Sequence, residues 1–191
     1  MEIAKRLLGI AVASAAILGV IVLIAHKPPS SPLVGRRAPE FDMYSTLGQQ
    51  VSLRDVTLQP TVMCFWRLRD PESMKALAAL DTLARSQDEL PGLVTAAINC
   101  DASTDEIVEF AKTHDFKFHI LHMGDDAERL RKAATLYHLH SHELPRFFLV
   151  QAPDNRILAD LEGPRTAEQL KQAVFDVRLL PWGVEDKQDG S

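Results

Sequence analysis

Three histidines at alternate positions, His138, His140 and His142, form the densest group of potential metal ligands in the sequence. In an extended segment, side chains two residues apart share one side of the chain. Neutral imidazoles suit copper or zinc, particularly when a carboxylate lies nearby. The stretch therefore favours one of two interpretations, which are a copper or zinc site and a solvated polar loop.

Two cysteines, Cys64 and Cys100, are the other side chains that could carry chemistry. They form neither a Cys-x-x-Cys pair nor a Cys/His zinc spacing. Cys64 lies inside an apolar run, which favours a role as a small core side chain. Cys100 follows a predicted strand, where a thiol could be reactive or merely close to a site. A disulfide between the two needs a specific backbone distance, so the sequence leaves that pairing open.

Strands and helices alternate along the middle of the chain. Short apolar runs predict strands buried on both faces, and residues repeating every three or four positions predict amphipathic helices. Ser103 with Glu106 and Asp125 with Glu128 mark two of the helix starts. We predict a hairpin at 41–56, strands at 61–66, 93–99, 118–123, 146–151 and 156–161, and helices at 71–87, 103–114, 125–137 and from 166 towards 180. This order predicts an α/β fold with a central mixed sheet flanked by helices.

The beginning of the chain predicts a membrane anchor. Leu7–Ala25 contains no charged residue and reaches the roughly 20 apolar residues that cross a bilayer as a helix. A cleaved signal peptide is the alternative, but only Ala25 offers a small residue near the end of the run. We divide the chain into an anchor at 1–25, a Pro/Ser linker at 26–34, one domain at 35–180 and a polar tail at 181–191.

Charge excludes one class of partner. The formal net charge is −5, and the lysines and arginines are scattered along the chain. Phosphate binding needs a basic patch, so we do not expect a nucleic acid as the main partner.

Four segments resemble those of a known family. They are Leu33–Phe41 (LVGRRAPEF), Gly48 with Val51–Leu53, Pro60–Trp66 (PTVMCFW) and Leu144–Val150 (LPRFFLV). In this order the chain resembles the extracytoplasmic thioredoxin-like family of TlpA, ResA and the cytochrome c maturation thiol reductases. The resemblance implies a thioredoxin-like fold with an N-terminal hairpin extension and a cis-proline at Pro145. It also implies a single-pass membrane protein with its domain on the extracytoplasmic, periplasmic side.

The chain departs from this family at the active site. The family's site reads F-W-x-x-W-C-x-x-C, and the matching segment here runs from Phe65 to Ser73. Asp70 stands at the position of the attacking cysteine and Ser73 at that of the resolving cysteine, while Pro71 is kept. Exchange requires a thiolate that attacks sulfur and a second thiol that releases the mixed disulfide. We therefore expect no catalytic residue at these positions and no ordinary thiol–disulfide exchange.

Without exchange chemistry, the same face is predicted to bind a partner. Asp70 could contact that partner or could simply cap the helix that follows it. The backbone beside Pro145 could pair with an extended client segment or could only shape its loop. The residues expected to contact a partner are Trp66, Arg69, Asp70, Pro71, Leu144 and Pro145.

Two functions remain open at the level of sequence. The first is a non-redox binding or assembly factor, without a cofactor, for an extracytoplasmic or membrane client protein of thiol–disulfide or cytochrome c biogenesis. The second is an oxidoreductase that uses Cys100, or a metallochaperone that holds copper or zinc with the three histidines and Asp70. Lys5 and Arg6 favour a cytoplasmic N-terminus. Together with the resemblance, they lead us to expect the domain outside the cytoplasm, although basic residues also follow the apolar run.

Overall fold

The computed structural model describes residues 31–179. Its strands are β1 (Asp42–Ser45), β2 (Gln50–Ser52), β3 (Thr61–Trp66), β4 (Val94–Asn99), β5 (His119–His122), β6 (Arg146–Gln151) and β7 (Arg156–Glu162). They form one sheet in the order β2-β1-β5-β4-β3-β6-β7. The β3–β4 and β4–β5 pairs are parallel, and the other pairs are antiparallel. The predicted mixed sheet and N-terminal hairpin are therefore confirmed, but the hairpin ends at Ser52 and not at residue 56. Ser52 caps a short helix there, because its side chain accepts the N–H of Asp55.

The helices flank this sheet. They are α1 (Leu53–Val56), α2 (Pro71–Arg85), α3 (Thr104–Thr113), α4 (Ala127–Leu136) and α5 (Ala167–Asp176), and a 3-10 turn spans Ser141–Glu143. Residues of α2, α3 and α5 pack on one face of the sheet, and α4 packs on the other. Both faces of the central strands are thus covered, as a parallel sheet requires.

Alternation along β3 divides the core into two parts. Val62, Cys64 and Trp66 point to the face covered by α2, which we call the first core. Met63 and Phe65 point to the opposite face, the second core. Successive strand residues face opposite sides, and every residue of β3 is buried. This double burial explains why the strand reads as an unbroken apolar run instead of an alternating pattern.

Most element boundaries lie within a few residues of those predicted, but two helix ends differ. The capping box predicted at the start of α3 is present. The predicted start of α4 was wrong by one residue. Asp126, and not Asp125, caps this helix, because its side chain accepts the first free N–H groups. Asp125 instead accepts the N–H of Thr104 at 2.9 Å and links the starts of α3 and α4. Helix α5 ends at Asp176, short of the predicted end near residue 180.

The predicted anchor at 1–25 and the tail at 181–191 lie outside the described residues, as does most of the linker. Within residues 31–179 there is no helix of the length and hydropathy that a membrane span requires. Leu33, which we assigned to the linker, is buried in the second core. The N–H of Gly35 donates to the carbonyl of Ile157 at 2.8 Å. The packed domain therefore includes Leu33.

Candidate functional site

Asp70 and Ser73 belong to the start of helix α2. Asp70 has extended backbone and precedes Pro71, the first helical residue, and its Oδ2 accepts the N–H of Ser73 at 2.8 Å. Ser73 is fully buried, and its Oγ accepts the N–H of Arg67 at 3.1 Å. Backbone donors at a helix start lack partners within the helix, and Asp70 satisfies one of them. Ser73 instead accepts an N–H from the loop that precedes the helix. The interpretation of Asp70 as an N-cap is confirmed.

Asp101 fastens the loop between β3 and α2 to the end of β4. Its Oδ1 accepts the N–H of Leu68 at 2.8 Å, and its Oδ2 lies 3.5 Å from Nε of Arg67. The side-chain amide of Asn99 donates to Asp101 Oδ1 at 3.1 Å. Our sequence reasoning missed this carboxylate. The available signal was its position just past the carboxyl end of a buried strand, where loop residues commonly carry function.

Arg69 and Trp66, both predicted to contact a partner, differ completely in exposure. Arg69 has φ 64°, in the left-handed region, and its largely exposed guanidinium lies 2.9 Å from Glu106. Trp66 is fully buried, and its ring lies 5.2 Å from that of Phe110. Trp66 therefore supports the loop from within the first core. In this conformation it cannot touch a partner, which corrects the sequence prediction.

Leu144 and Pro145 continue β6 beyond the sheet, next to the end of β3. Their peptide bond is cis, as the resemblance implies. The last pair of the β3–β6 ladder joins Phe65 to Arg146, so the two residues before Arg146 lie outside the ladder. Leu144 is extended and half-buried, whereas Pro145 is buried. Because Arg67 and Leu144 line the same cavity, the structure brings the β3–α2 loop and the Leu144–Pro145 loop together.

Arg146 holds this second loop in place, and sequence reasoning missed it. Its guanidinium is 5% exposed and donates to both carboxylate oxygens of Asp160, at 2.7 and 2.8 Å. It also donates to Glu143 at 3.0 Å and to the carbonyl of His138 at 2.9 Å. The hydrogen bonds to Asp160 are the main cause of its raised pKa. A charged residue opening an otherwise apolar strand was the signal in the sequence.

The three histidines do not assemble into the predicted metal site. His138 has φ 51°, and the 3-10 turn begins at Ser141, so the segment is not extended as the predicted site requires. The rings of His140 and His142 stack at 5.7 Å, and all three histidines are exposed. Among residues 31–179, no three His, Cys, Asp or Glu residues are placed to hold a metal ion. The geometry gives no support to copper or zinc here.

Cys64 and Cys100 are both free thiols on opposite faces of the sheet. Cys64 is buried in the first core, whereas Cys100 packs against the second, so no disulfide joins them. Burial raises the pKa of Cys100 to about 12 and that of Cys64 well above its ordinary value. The thiolate is the nucleophilic form. Cys100 is therefore a poor nucleophile at neutral pH, even though part of its surface is accessible.

The fold and the site together define a thioredoxin-like domain whose two exchange positions carry oxygen in place of sulfur. A sequence profile of the AhpC/TSA family matches residues 34–157, and the chain belongs to that family.

Relatives and solved structures agree with this assignment. The thiol-disulfide oxidoreductase ResA of Bacillus thuringiensis subsp. konkukian is 22% identical over 139 residues, which cover 73% of this chain and 75% of ResA. A Chlorobium tepidum protein classed as thiol:disulfide interchange protein DsbE is 21% identical, with a TM-score of 0.62 over 75% of this chain and 96% of that one. Copper-bound ScoI of Arabidopsis thaliana is 15% identical, with a TM-score of 0.58 over 74% and 97%. At these identities, the likeness of this chain to the DsbE and ScoI structures establishes a common fold and nothing more.

Proposed function

We propose that this protein is a non-redox binding or assembly factor of the thioredoxin-like thiol-disulfide oxidoreductase family. It holds an extended segment of a client protein against the Leu144–Pro145 loop. Exposed Arg69 and the neighbouring Asp70–Pro71 turn complete the binding face. The client belongs to extracytoplasmic thiol–disulfide or cytochrome c biogenesis, the processes in which the resembled family acts.

One observation carries this proposal. Asp70 and Ser73 occupy the two exchange positions, and both use their oxygens to accept backbone N–H groups, Asp70 that of Ser73 and Ser73 that of Arg67. Neither side chain can attack a disulfide or release a mixed disulfide. The cis-proline loop next to them needs no sulfur to pair with a peptide, because strand addition uses backbone hydrogen bonds. The domain thus lacks the reactants for exchange but keeps a surface for binding.

Two measurements on the full-length protein test the proposal. Insulin reduction with dithiothreitol should proceed at the rate seen without the protein. A photocrosslinker placed at Arg69 or Leu144 in native membranes should capture a client, whereas the same probe at exposed Lys132 should not. Insulin reduction that is lost with Cys100→Ser would favour the oxidoreductase alternative, and copper or zinc bound in stoichiometric amounts would favour the metallochaperone. The raised pKa of Cys100 gives the oxidoreductase no advantage, and the histidines form no metal-binding group with other residues of 31–179 that would favour the metallochaperone.

The proposal includes a single-pass anchor with the domain on the periplasmic side. The uncharged run Leu7–Ala25 and the preceding Lys5 and Arg6 support it. The full chain should stay in membranes after alkaline carbonate washing. Protease added to intact spheroplasts should digest the domain. Release by carbonate, or protection from the protease, would contradict this topology.

A further inference from the structure

Two adjoining cavities lie beside the Leu144–Pro145 loop. The first, about 440 Å³, has a mainly apolar wall formed by Leu130, Ala133, Ala134, Leu139 and Leu144. The second, about 290 Å³, is lined by three carboxylates, Asp101, Asp125 and Asp126. Cys100, Asp101 and Leu130 line both cavities, so the two form one groove with an apolar end and an acidic end. We call it the Cys100 groove.

We propose that the Cys100 groove selects the client segment through an apolar side chain with a lysine or arginine close to it in the client sequence. This inference builds on the proposed function and specifies the chemistry of its partner. The apolar side chain occupies the end of the groove beside Leu144. The basic side chain reaches the acidic end beside Asp125.

The apolar end has the size and the position to receive a side chain from an extended peptide. Its volume lies within the range of roughly 300–1,000 Å³ that is typical of sites for small ligands. Leu144 lines this end, is extended and lies outside the β3–β6 ladder. A peptide that pairs with the backbone there projects alternate side chains to one side. One of those side chains can enter the cavity while its neighbour remains in solvent.

The acidic end has charge complementary to a basic side chain. Asp101 pairs with Arg67 at 3.5 Å, and Asp126 lies 3.9 Å from Arg129. Asp125 has no ion-pair partner among residues 31–179, although its Oδ1 accepts a backbone N–H. Three carboxylates facing two guanidinium groups leave a net negative charge. A lysine or arginine of the client is the complementary group.

Cys100 lies where the two ends meet, and burial keeps its thiol protonated at neutral pH. A neutral thiol behaves as a small apolar group. It extends the apolar wall without adding a charge that would repel or attract the client. The groove thus uses this cysteine for shape and not for its nucleophilicity.

Fluorescence anisotropy with the full-length protein in detergent tests the inference with three labelled peptides of equal length. One carries a leucine followed by two lysines, the second replaces the leucine by serine, and the third replaces the lysines by glutamates. We expect the first peptide to bind at least about tenfold more tightly than either of the others. We expect its affinity to fall about threefold between about 50 and 200 mM NaCl, because the contacts at the rim are screened. Equal affinity for all three peptides, or no measurable binding, would overturn the proposal.

Matched variants locate the binding. Ala134→Phe fills the apolar end, while Thr135→Phe adds the same ring to an exposed neighbour on α4. Asp125→Asn removes a charge but keeps the acceptor for the N–H of Thr104, while Asp88→Asn removes an exposed charge outside the groove. Only Ala134→Phe and Asp125→Asn should weaken the leucine–lysine peptide, by about tenfold and about threefold. Matching urea midpoints establish that all variants fold.

Crosslinking from Arg69 separates this inference from the proposed function. If the wild-type protein captures a client and the Ala134→Phe and Asp125→Asn variants capture it equally well, the groove is not the selecting element and the proposed function stands. If the wild-type protein captures no client, the proposed function itself fails.

Discussion

The helix start at Asp70–Ser73 and the loop at Leu144–Arg146 lie close together but are held in different ways. At the helix start, two short side chains accept local backbone N–H groups within a span of a few residues. At the loop, buried Arg146 joins Glu143 and the carbonyl of His138 to Asp160 on the neighbouring strand β7. One region depends on local capping and the other on a tertiary ion-pair network.

In a thioredoxin-like site, the requirement for a backbone acceptor at the helix start can therefore be separated from the requirement for sulfur. A helix start needs an acceptor, and a carboxylate or hydroxyl serves as well as any other group. Disulfide exchange needs sulfur and accepts no substitute. Exchange can therefore be lost from the first region while the second region keeps its shape. Three sets of variants and one chemical modification test this separation.

Restoring sulfur to the helix start should restore exchange. The double variant Asp70→Cys/Ser73→Cys places one thiol at the N-terminus of α2, where the pKa of a cysteine is lowered, and a second thiol one turn later. We expect insulin reduction to rise from background to a clear catalytic rate, at least about tenfold. The Asp70→Cys/Ser73→Ala variant is the control and should stay at background. If the double variant formed a disulfide yet remained inactive, the loss of function would lie in the surrounding geometry and not in the missing sulfur.

The partly accessible thiol of Cys100, near the Leu144–Pro145 loop, should react slowly with an alkylating reagent, and the rate of alkylation should depend on pH. With a pKa of about 12, the thiolate fraction of Cys100 rises with pH up to that value. Alkylation by iodoacetamide at pH 8 should be on the order of 1,000-fold slower than that of an unperturbed thiol, and should quicken about tenfold per pH unit.

Mass spectrometry of tryptic peptides gives the rate for each cysteine. Protein unfolded in urea is the control, since both thiols should then react at ordinary rates. Rapid modification of Cys100 at pH 7 would show an activated thiol and would favour the oxidoreductase alternative.

Removing the guanidinium of Arg146 should destabilise the protein far more than removing the cap at the start of α2. Arg146→Ala leaves the carboxylate of Asp160, 1% exposed, buried without its partner. We expect a loss of about 3–5 kcal/mol in the free energy of unfolding, measured by urea denaturation, and faster proteolysis within 138–144. Arg131→Ala, at an exposed site on α4, should change stability by less than about 0.5 kcal/mol. The double variant Arg146→Met/Asp160→Leu should be more stable than Arg146→Ala, and the opposite result would refute the ion-pair explanation.

Removing the Asp70 cap of α2 should have the smallest effect on the free energy of unfolding. Asp70→Ala loses the acceptor for the Ser73 N–H, and we expect a cost of about 1 kcal/mol from the urea midpoint. Asp70→Asn keeps an acceptor and should cost less than half as much. If the carboxylate serves only as the cap, client crosslinking from Leu144 should be equal in Asp70→Asn and the wild type. If Asp70→Asn abolished client crosslinking without changing the urea midpoint, the carboxylate would have to contact the partner directly.

Much of the fold could be predicted from the sequence because its signals are local. The apolar run at 61–66 and the capping box before α3 depend on neighbouring residues, and both appear where expected. The cap of α4 could not be placed as well, since either aspartate can cap a helix and the spacing to Glu128 favoured Asp125. The contact of Asp125 with Thr104, distant in the chain, distinguishes them.

The candidate site divides in the same way. Asp70 and Ser73 could be located from the motif, and the cis-proline from its resemblance. The partners of Arg146 and the turn that interrupts the His138–His142 segment could not be predicted. Each depends on which distant segment packs against the residue, or on a backbone turn within a polar stretch that has no hydrophobic period.

The sequence by itself determined that sulfur is missing from positions 70 and 73, because the chemistry of a side chain depends only on its identity. Tertiary structure alone decided that Cys100 lies between an apolar and an acidic cavity and that a buried arginine holds the adjoining loop. The burial of a side chain and the electrostatic field that it experiences depend on all the atoms around it. Those atoms come from β3, β4, α4 and the loop before β6, which only folding brings together.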